Sequence, residues 1–102
     1  MPKIKSEYSD LDKYEYNHGD IIYYKKGTSI CHNPYGPAFI YKDGTRVYFI
    51  ENKLHRLDGS ARIWCDGYKE YWINNKKLNK EEFELHPERL KFLGKEHLIC
   101  LK

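Results

Sequence analysis

Residues 31–44 read Cys-His-Asn-Pro-Tyr-Gly-Pro-Ala-Phe-Ile-Tyr-Lys-Asp-Gly, and residues 54–67 read Leu-His-Arg-Leu-Asp-Gly-Ser-Ala-Arg-Ile-Trp-Cys-Asp-Gly. The second stretch repeats the first at an offset of 23 residues. His32 maps onto His55, Gly36 onto Gly59, Ala38 onto Ala61, Ile40 onto Ile63, Tyr41 onto Trp64, and Asp43-Gly44 onto Asp66-Gly67. A fixed period of this size marks a supersecondary unit that buries its apolar surface by stacking on its neighbour. Most of the repeated residues are turn formers or small core residues. The pattern therefore explains itself structurally and names no chemistry.

Each copy carries a hairpin. Asp43-Gly44 lies between β-rich runs at 37–42 and 45–50, and Asp66-Gly67 between runs at 60–65 and 68–73. Asp-Gly in this setting predicts a two-residue type I′ turn, whose central residues both need positive φ. That turn sets Ile40 opposite Val47 and Ala38 opposite Phe49, then Ile63 opposite Glu70 and Ala61 opposite Trp72. Alternation along the strands gives two faces. One, expected to be the drier, carries Ala38, Ile40, Val47 and Phe49 with Ala61, Ile63, Glu70 and Trp72. The other carries Phe39, Tyr41, Tyr48 and Ile50 with Arg62, Trp64, Tyr71 and Ile73.

Outward from this centre, residues 1–19 read as a polar, tyrosine-bearing N-terminal arm (Tyr8, Tyr14, Tyr16), and 20–25 as the first strand. Tyr23-Tyr24, Tyr48-Phe49 and Tyr71-Trp72 fall at equivalent places, so the repeat region 20–77 holds about two and a half units. Residues 78–102 depart from the pattern. Asn79 and Glu82 form a capping box, with Leu78 and Phe83 placed as a hydrophobic staple, so a helix begins at Lys80. His86-Pro87 restarts it and Gly94 ends it. A last strand is expected at 97–101. The predicted fold is mostly β: tandem β-hairpin repeats in a twisted or curved antiparallel sheet, closed by a C-terminal capping helix, in one domain.

The chain has 102 residues, a formal net charge of +3, and sixteen aromatics among its ten Tyr, four Phe and two Trp. Such aromatic content favours pleated surfaces. Basic residues are interleaved with acidic ones rather than massed, so the charge permits a nucleic-acid partner without demanding one. Cys31, Cys65 and Cys100 form an odd set without a CxxC pair, which reads as reduced thiols in a cytoplasmic setting. No signal peptide or membrane-length apolar run is visible, and no membrane partner is expected.

The motif His32-Asn33-Pro34-Tyr35-Gly36-Pro37-Ala38 and its copy His55-Arg56-Leu57-Asp58-Gly59-Ser60-Ala61 resemble the tandem "HRxDGPA" units of MORN-like repeat proteins. Tyr48-Phe49-Ile50-Glu51-Asn52-Lys53 and Tyr71-Trp72-Ile73-Asn74-Asn75-Lys76 resemble the spacer of those units. Such repeats occur in bacteriophages, large DNA viruses and bacterial antitoxin-like proteins. The resemblance spans roughly residues 20–85. It implies hairpins in a curved sheet and contacts with proteins or surfaces rather than catalysis. Two departures stand out: Asn33 replaces the motif's Arg, and Ser60 replaces its Pro.

Residues that invite a chemical reading have plainer ones. His32 and His55 recur once per unit, as an architectural group does, and Asp58 suits an Asx turn. Cys31, His32, His55 and Cys65 are zinc-competent types at the wrong spacing for a zinc motif, so no metal or other cofactor is expected. His32-Asn33 before a hairpin only loosely resembles a His-Asn-His nuclease, and no catalytic triad or phosphate loop is present. The chain is therefore read as non-enzymatic. The candidate partner-binding residues are Tyr41, Arg46, Tyr48, Arg56, Arg62, Trp64, Lys69 and Tyr71, types enriched in interface hot spots. The expected partner is a host or cognate protein, which the resemblance suggests belongs to a defence system restrained by a viral accessory protein. A toxin partner and a nucleic-acid or nucleotide ligand stacked on the aromatics are the alternatives. Open sheet edges would also serve a homodimer.

Overall fold

Three hairpins of the chain turn in the same way. Tyr16 pairs with Asp20 around Asn17-His18-Gly19, Tyr41 with Thr45 around Lys42-Asp43-Gly44, and Trp64 with Tyr68 around Cys65-Asp66-Gly67. In each, the first residue's N–H donates to the last residue's carbonyl at 2.8–2.9 Å, and the glycine N–H donates back to the first carbonyl at 2.8–2.9 Å. Gly19, Gly44 and Gly67 take φ of 108°, 97° and 93°. These observations come from a computed structural model that describes residues 3–4 and 6–94.

The Asp-Gly turns therefore differ from the two-residue expectation. Each is a three-residue loop in which glycine alone occupies the left-handed region, the arrangement that ends in a glycine bulge. The aspartate has a different task. Asp43 Oδ1 accepts the Thr45 N–H at 2.8 Å, and Asp66 Oδ1 accepts the Tyr68 N–H at 3.0 Å. The extra loop residue moves the register by one. Phe39 faces Val47 and Ile40 faces Arg46, while Arg62 faces Glu70 and Ile63 faces Lys69. Because side chains alternate, that slip regroups the faces.

The type I′ geometry lies elsewhere. Glu51-Asn52 (φ 49° and 66°) joins Ile50 to Lys53, and Asn74-Asn75 (φ 50° and 67°) joins Ile73 to Lys76. Asparagine tolerates this region better than most residues because its short amide bonds locally.

The strands are β1 (Lys3–Ile4), β2 (Leu11–Glu15), β3 (Ile21–Lys25), β4 (Phe39–Ile40), β5 (Arg46–Val47), β6 (Phe49–Ile50), β7 (Lys53–Leu54), β8 (Arg62–Ile63), β9 (Lys69–Ile73) and β10 (Lys76–Leu78). Eight form one antiparallel sheet in the order β1-β2-β3-β4-β5-β8-β9-β10, and β6 pairs separately with β7. The sheet is a meander in chain order, so the molecule is long and thin at 50 × 31 × 19 Å. Its radius of gyration is 15.2 Å, against about 13 Å for a compact chain of this length. The stretch read as an N-terminal arm contributes a full strand: β2 pairs residue for residue with β3. Asn17-His18-Gly19 is the turn signal that reading passed over.

Directly opposed residues share a face. One face carries the row Tyr14, Ile22, Phe39, Val47, Arg62 and Glu70; the other carries Glu15, Ile21, Ile40, Arg46, Ile63 and Lys69. The division into a dry Ala/Ile face and a wet aromatic face does not hold. Ala38 and Ala61 are fully buried, but Ile40 and Ile63 are half-buried. Val47, which the slip moves to the aromatic face, is 2% exposed.

The C-terminal end follows its sequence signals. Helix α1 (Lys80–Glu84) starts from N-cap Asn79, whose Oδ1 accepts the Glu82 N–H at 2.8 Å. Glu82 Oε1 accepts the Asn79 N–H at 2.9 Å, completing the capping box. Leu78 and Phe83 meet in a buried cluster with Ile73. Helix α2 (Pro87–Phe92) restarts at Pro87 with His86 as N-cap, and Gly94 follows at φ 72°. The strand expected at 97–101, with Cys100, lies outside the described residues. Among those residues no helix is long and apolar enough to cross a membrane.

Open space surrounds the Cβ position of Gly44 and Gly67, so backbone conformation alone excludes a branched side chain there. Gly44→Val or Gly67→Val should each cost about 1–2 kcal/mol, read by urea denaturation. Wild-type stability in both would contradict the loop assignment. Glu51→Asn should instead raise the thermal midpoint, because it gives the first type I′ turn the residue that the second already has at Asn74.

Candidate functional site

The repeated histidines fasten one unit to the next. His32 follows Cys31, which bridges to Tyr24 on β3, and His32 donates its N–H to the Tyr23 carbonyl at 3.1 Å. Its ring Nδ1 accepts the Glu51 N–H at 3.0 Å. Beside it, Cys31 N–H donates to Asn52 Oδ1 at 2.7 Å and Asn52 N–H donates to the Cys31 carbonyl at 2.8 Å. One unit later His55 Nδ1 accepts the Asn74 N–H at 3.0 Å, while Asn75 N–H donates to the Leu54 carbonyl at 2.8 Å. The type I′ turn of one hairpin is thus pinned by the histidine that precedes it.

A ring nitrogen that accepts an amide N–H carries no proton, so the neutral rings hold theirs on Nε2. Burial pushes both histidines below the ordinary imidazole range, helped at His32 by Lys25 and at His55 by His86. Glu51 and Asp10 oppose that shift at His32, and Glu88 opposes it at His55. A depressed folded-state pKa leaves stability intact above the unfolded value of about 6.5, and stability falls as pH drops from there through the folded value. The urea midpoint should therefore decline below about pH 6.5, and His32→Gln with His55→Gln should flatten that decline. An unchanged slope in the double variant would contradict the role given to the rings.

The other end of the hairpins is linked in the same spirit. Asp20 Oδ1 accepts the Lys42 N–H at 2.8 Å, and Thr45 Oγ1 accepts the Cys65 N–H at 3.1 Å. In both cases a turn-closing side chain receives the first loop amide of the next hairpin. This bond is the leading cause of Asp20's lowered pKa.

Arg56, expected to meet a partner, is largely committed to its own loop. Its Nε donates to Asp58 Oδ1 at 2.8 Å and its Nη1 to the Ser60 carbonyl at 3.1 Å. A Cβ on Gly59 would stand 2.9 Å from its Cζ, so glycine is what lets the guanidinium lie across the loop. Asn33 does the equivalent work, donating from Nδ2 to the Pro37 carbonyl at 3.1 Å. The Asn33/Arg56 difference between the units is therefore structurally conservative: each ties its loop to the carbonyl four residues on.

The eight candidate residues do not form one surface. Tyr41, Arg62 and Trp64 share a face near the turns. Tyr41 and Trp64 are each 40% exposed. Tyr41 stacks on Phe39 at 4.1 Å, and the Arg62 guanidinium lies 5.4 Å from the Trp64 ring. Arg62 also donates to Glu70 Oε1 at 3.2 Å, and Glu70 accepts from Trp72 Nε1 at 3.0 Å. Glu70 is only 9% exposed, so Arg62 neutralises a covered carboxylate as well as backing an aromatic ring. Arg46 and Lys69 are exposed on the opposite face. Tyr71 packs on Phe83 at 4.7 Å, under the C-terminal helix. Tyr48 lies beneath the Arg56 guanidinium at 4.1 Å.

Tyr48 and Arg56 open onto a cleft of about 370 Å³ between the two repeat loops, which Asn33, Tyr35, His55, Asp58 and Phe92 also line. Sequence reading missed three of the most exposed rings: Tyr35 (56%), Tyr68 (57%) and Phe92 (59%). The available signal was position. Tyr35 stands among Pro34, Gly36 and Pro37, where an aromatic has no strand to pack in.

No family model, curated protein or solved structure matches this chain. Among the described residues, no three His, Cys, Asp or Glu side chains converge as a metal site would require. Cys31 and Cys65 are free thiols, and burial pushes the Cys31 thiol up to about 11.

Proposed function

We propose that this chain is a protein-binding repeat module of the MORN-like type, acting by occupancy rather than catalysis. The observation that carries the reading is the pair Tyr41 and Trp64. They stand at equivalent positions of successive units, on one face, open to solvent, and each is steadied by a neighbour. Rings held in place before binding lose little conformational freedom on contact, which is why Tyr, Trp and Arg dominate interface energetics. His32, His55, Asp43 and Asp66, residue types that serve chemistry elsewhere, each accept a backbone N–H of a turn here.

The resemblance of the repeat adds the setting: an accessory protein of a phage or virus that binds and restrains a host protein such as a defence component. Arg46 and Lys69, on the opposite face, take no part in this reading. The terminal strand β10 carries exposed Lys76 and Lys77. Lysines on a terminal strand oppose edge-to-edge pairing, which argues against a homodimer through that edge.

Affinity capture from host lysate, with and without nuclease, tests the proposal. Wild-type protein should retain a stoichiometric protein partner after nuclease. Tyr41→Ala with Trp64→Ala should lose it, while Arg46→Ala with Lys69→Ala should keep it. Recovery of nucleic acid alone, with steep salt dependence, would overturn the proposal in favour of an oligonucleotide ligand.

A further inference from the structure

The cleft between the two repeat loops is built from rings that are fixed in place yet unspent. Tyr35 is stacked on Tyr8 at 4.4 Å, and its hydroxyl donates to Asp10 Oδ2 at 3.0 Å, yet the side chain remains 56% exposed. Tyr48 is pressed against the Arg56 guanidinium at 4.1 Å. Phe92 projects from α2, which is anchored by buried Leu90 and by Asn74 Nδ2 donating to Glu88 at 2.9 and 3.0 Å. Phe92 is 59% exposed and still lines the cleft. A loop, the link between β5 and β6, and helix α2 thus present three aromatic walls to one space.

The polar groups of the same cleft are biased toward donation. His55 spends Nδ1 on the Asn74 amide, which leaves its Nε2–H without a partner among the described residues. Arg56 spends Nε and Nη1 within its loop, which leaves Nη2. Asp58 neutralises Arg56 at 2.8 Å, so the cleft presents N–H donors without a strong net charge. Neutral acceptors suit such a site better than anions do. The carbonyls of an extended peptide are such acceptors, and they stay unpaired in the polyproline II conformation, whose proline rings pack flat against aromatic walls.

We infer that this cleft takes a proline-rich segment of a protein partner in the polyproline II conformation. Tyr35, Tyr48 and Phe92 grip its rings, and His55 Nε2 and Arg56 Nη2 donate to its carbonyls. The inference rests on the protein-binding reading above and gives it a second, chemically distinct contact. The cleft volume of about 370 Å³ holds a few side chains, the scale of a short linear motif rather than a folded domain.

Fluorescence anisotropy with labelled proline-rich decapeptides tests it, with glycine-for-proline versions as controls. Wild-type protein should bind the proline peptides saturably and ignore the glycine versions. Phe92→Ala, an exposed substitution that leaves the fold intact, should weaken binding by about tenfold or more, and Tyr35→Ala similarly. Arg46→Ala, on the exposed opposite face and outside the cleft, should leave peptide affinity unchanged. Absence of saturable binding, or affinity undiminished by Phe92→Ala, would overturn the inference. Failure here is separable from failure of the broader reading. A nuclease-resistant partner lost with Tyr41→Ala and Trp64→Ala but kept by Phe92→Ala would leave that reading standing without the cleft.

Discussion

A histidine ring nitrogen accepting a turn amide is the contact on which the rest of this structure depends. Short hairpins are marginal alone, and strands such as β4, β5 and β8 contain only two residues each. They persist because every unit is tied to the next at both ends. At one end His32 and His55 hold the Glu51-Asn52 and Asn74-Asn75 turns. At the other, Asp20 and Thr45 accept the first loop amides of the following hairpins. A thin sheet with an elongated outline has little interior, so these side chain-to-backbone bonds do work that a larger hydrophobic core does elsewhere.

This economy also explains which parts were legible from sequence. The 23-residue period, the mostly β hairpin array and the α1 capping box could all be read from residue types, because each rests on a local rule. The register could not. Asp-Gly fits a two-residue turn as readily as the last two positions of a three-residue loop, and only the closing pairs Tyr41–Thr45 and Trp64–Tyr68 decide between them. The first hairpin was hidden for a related reason. Asn17-His18-Gly19 carries the obligatory glycine but not the aspartate that advertises the other two. Glu51-Asn52 was equally hard to see, since glutamate seldom takes positive φ and does so here with a histidine fixing its amide.

For the surface, one shifted residue divides the candidates. Arg46 and Lys69 turn away from Tyr41, Arg62 and Trp64, and Tyr71 serves the C-terminal cluster. Arg56 illustrates how one side chain divides its work. Its Nε–H and one Nη1–H are spent on Asp58 and Ser60, a tie that Asn33 performs one unit earlier, and the remaining guanidinium N–H groups are not used by the loop. What the architecture leaves unspent is Tyr41 and Trp64 near the turns, and the rings around the inter-loop cleft. None of these aromatics is required by the inter-unit ties, so the surface can vary while the scaffold persists.

The most direct test of this account is the protonation state of the two repeat histidines, read from ring nitrogen shifts in long-range nitrogen–proton NMR spectra at neutral pH. The account predicts that His32 and His55 are both neutral, with the proton on Nε2 and Nδ1 shifted as an acceptor. A charged ring, or a proton on Nδ1 in either residue, would contradict it, because that nitrogen could not then hold the turn of the next hairpin.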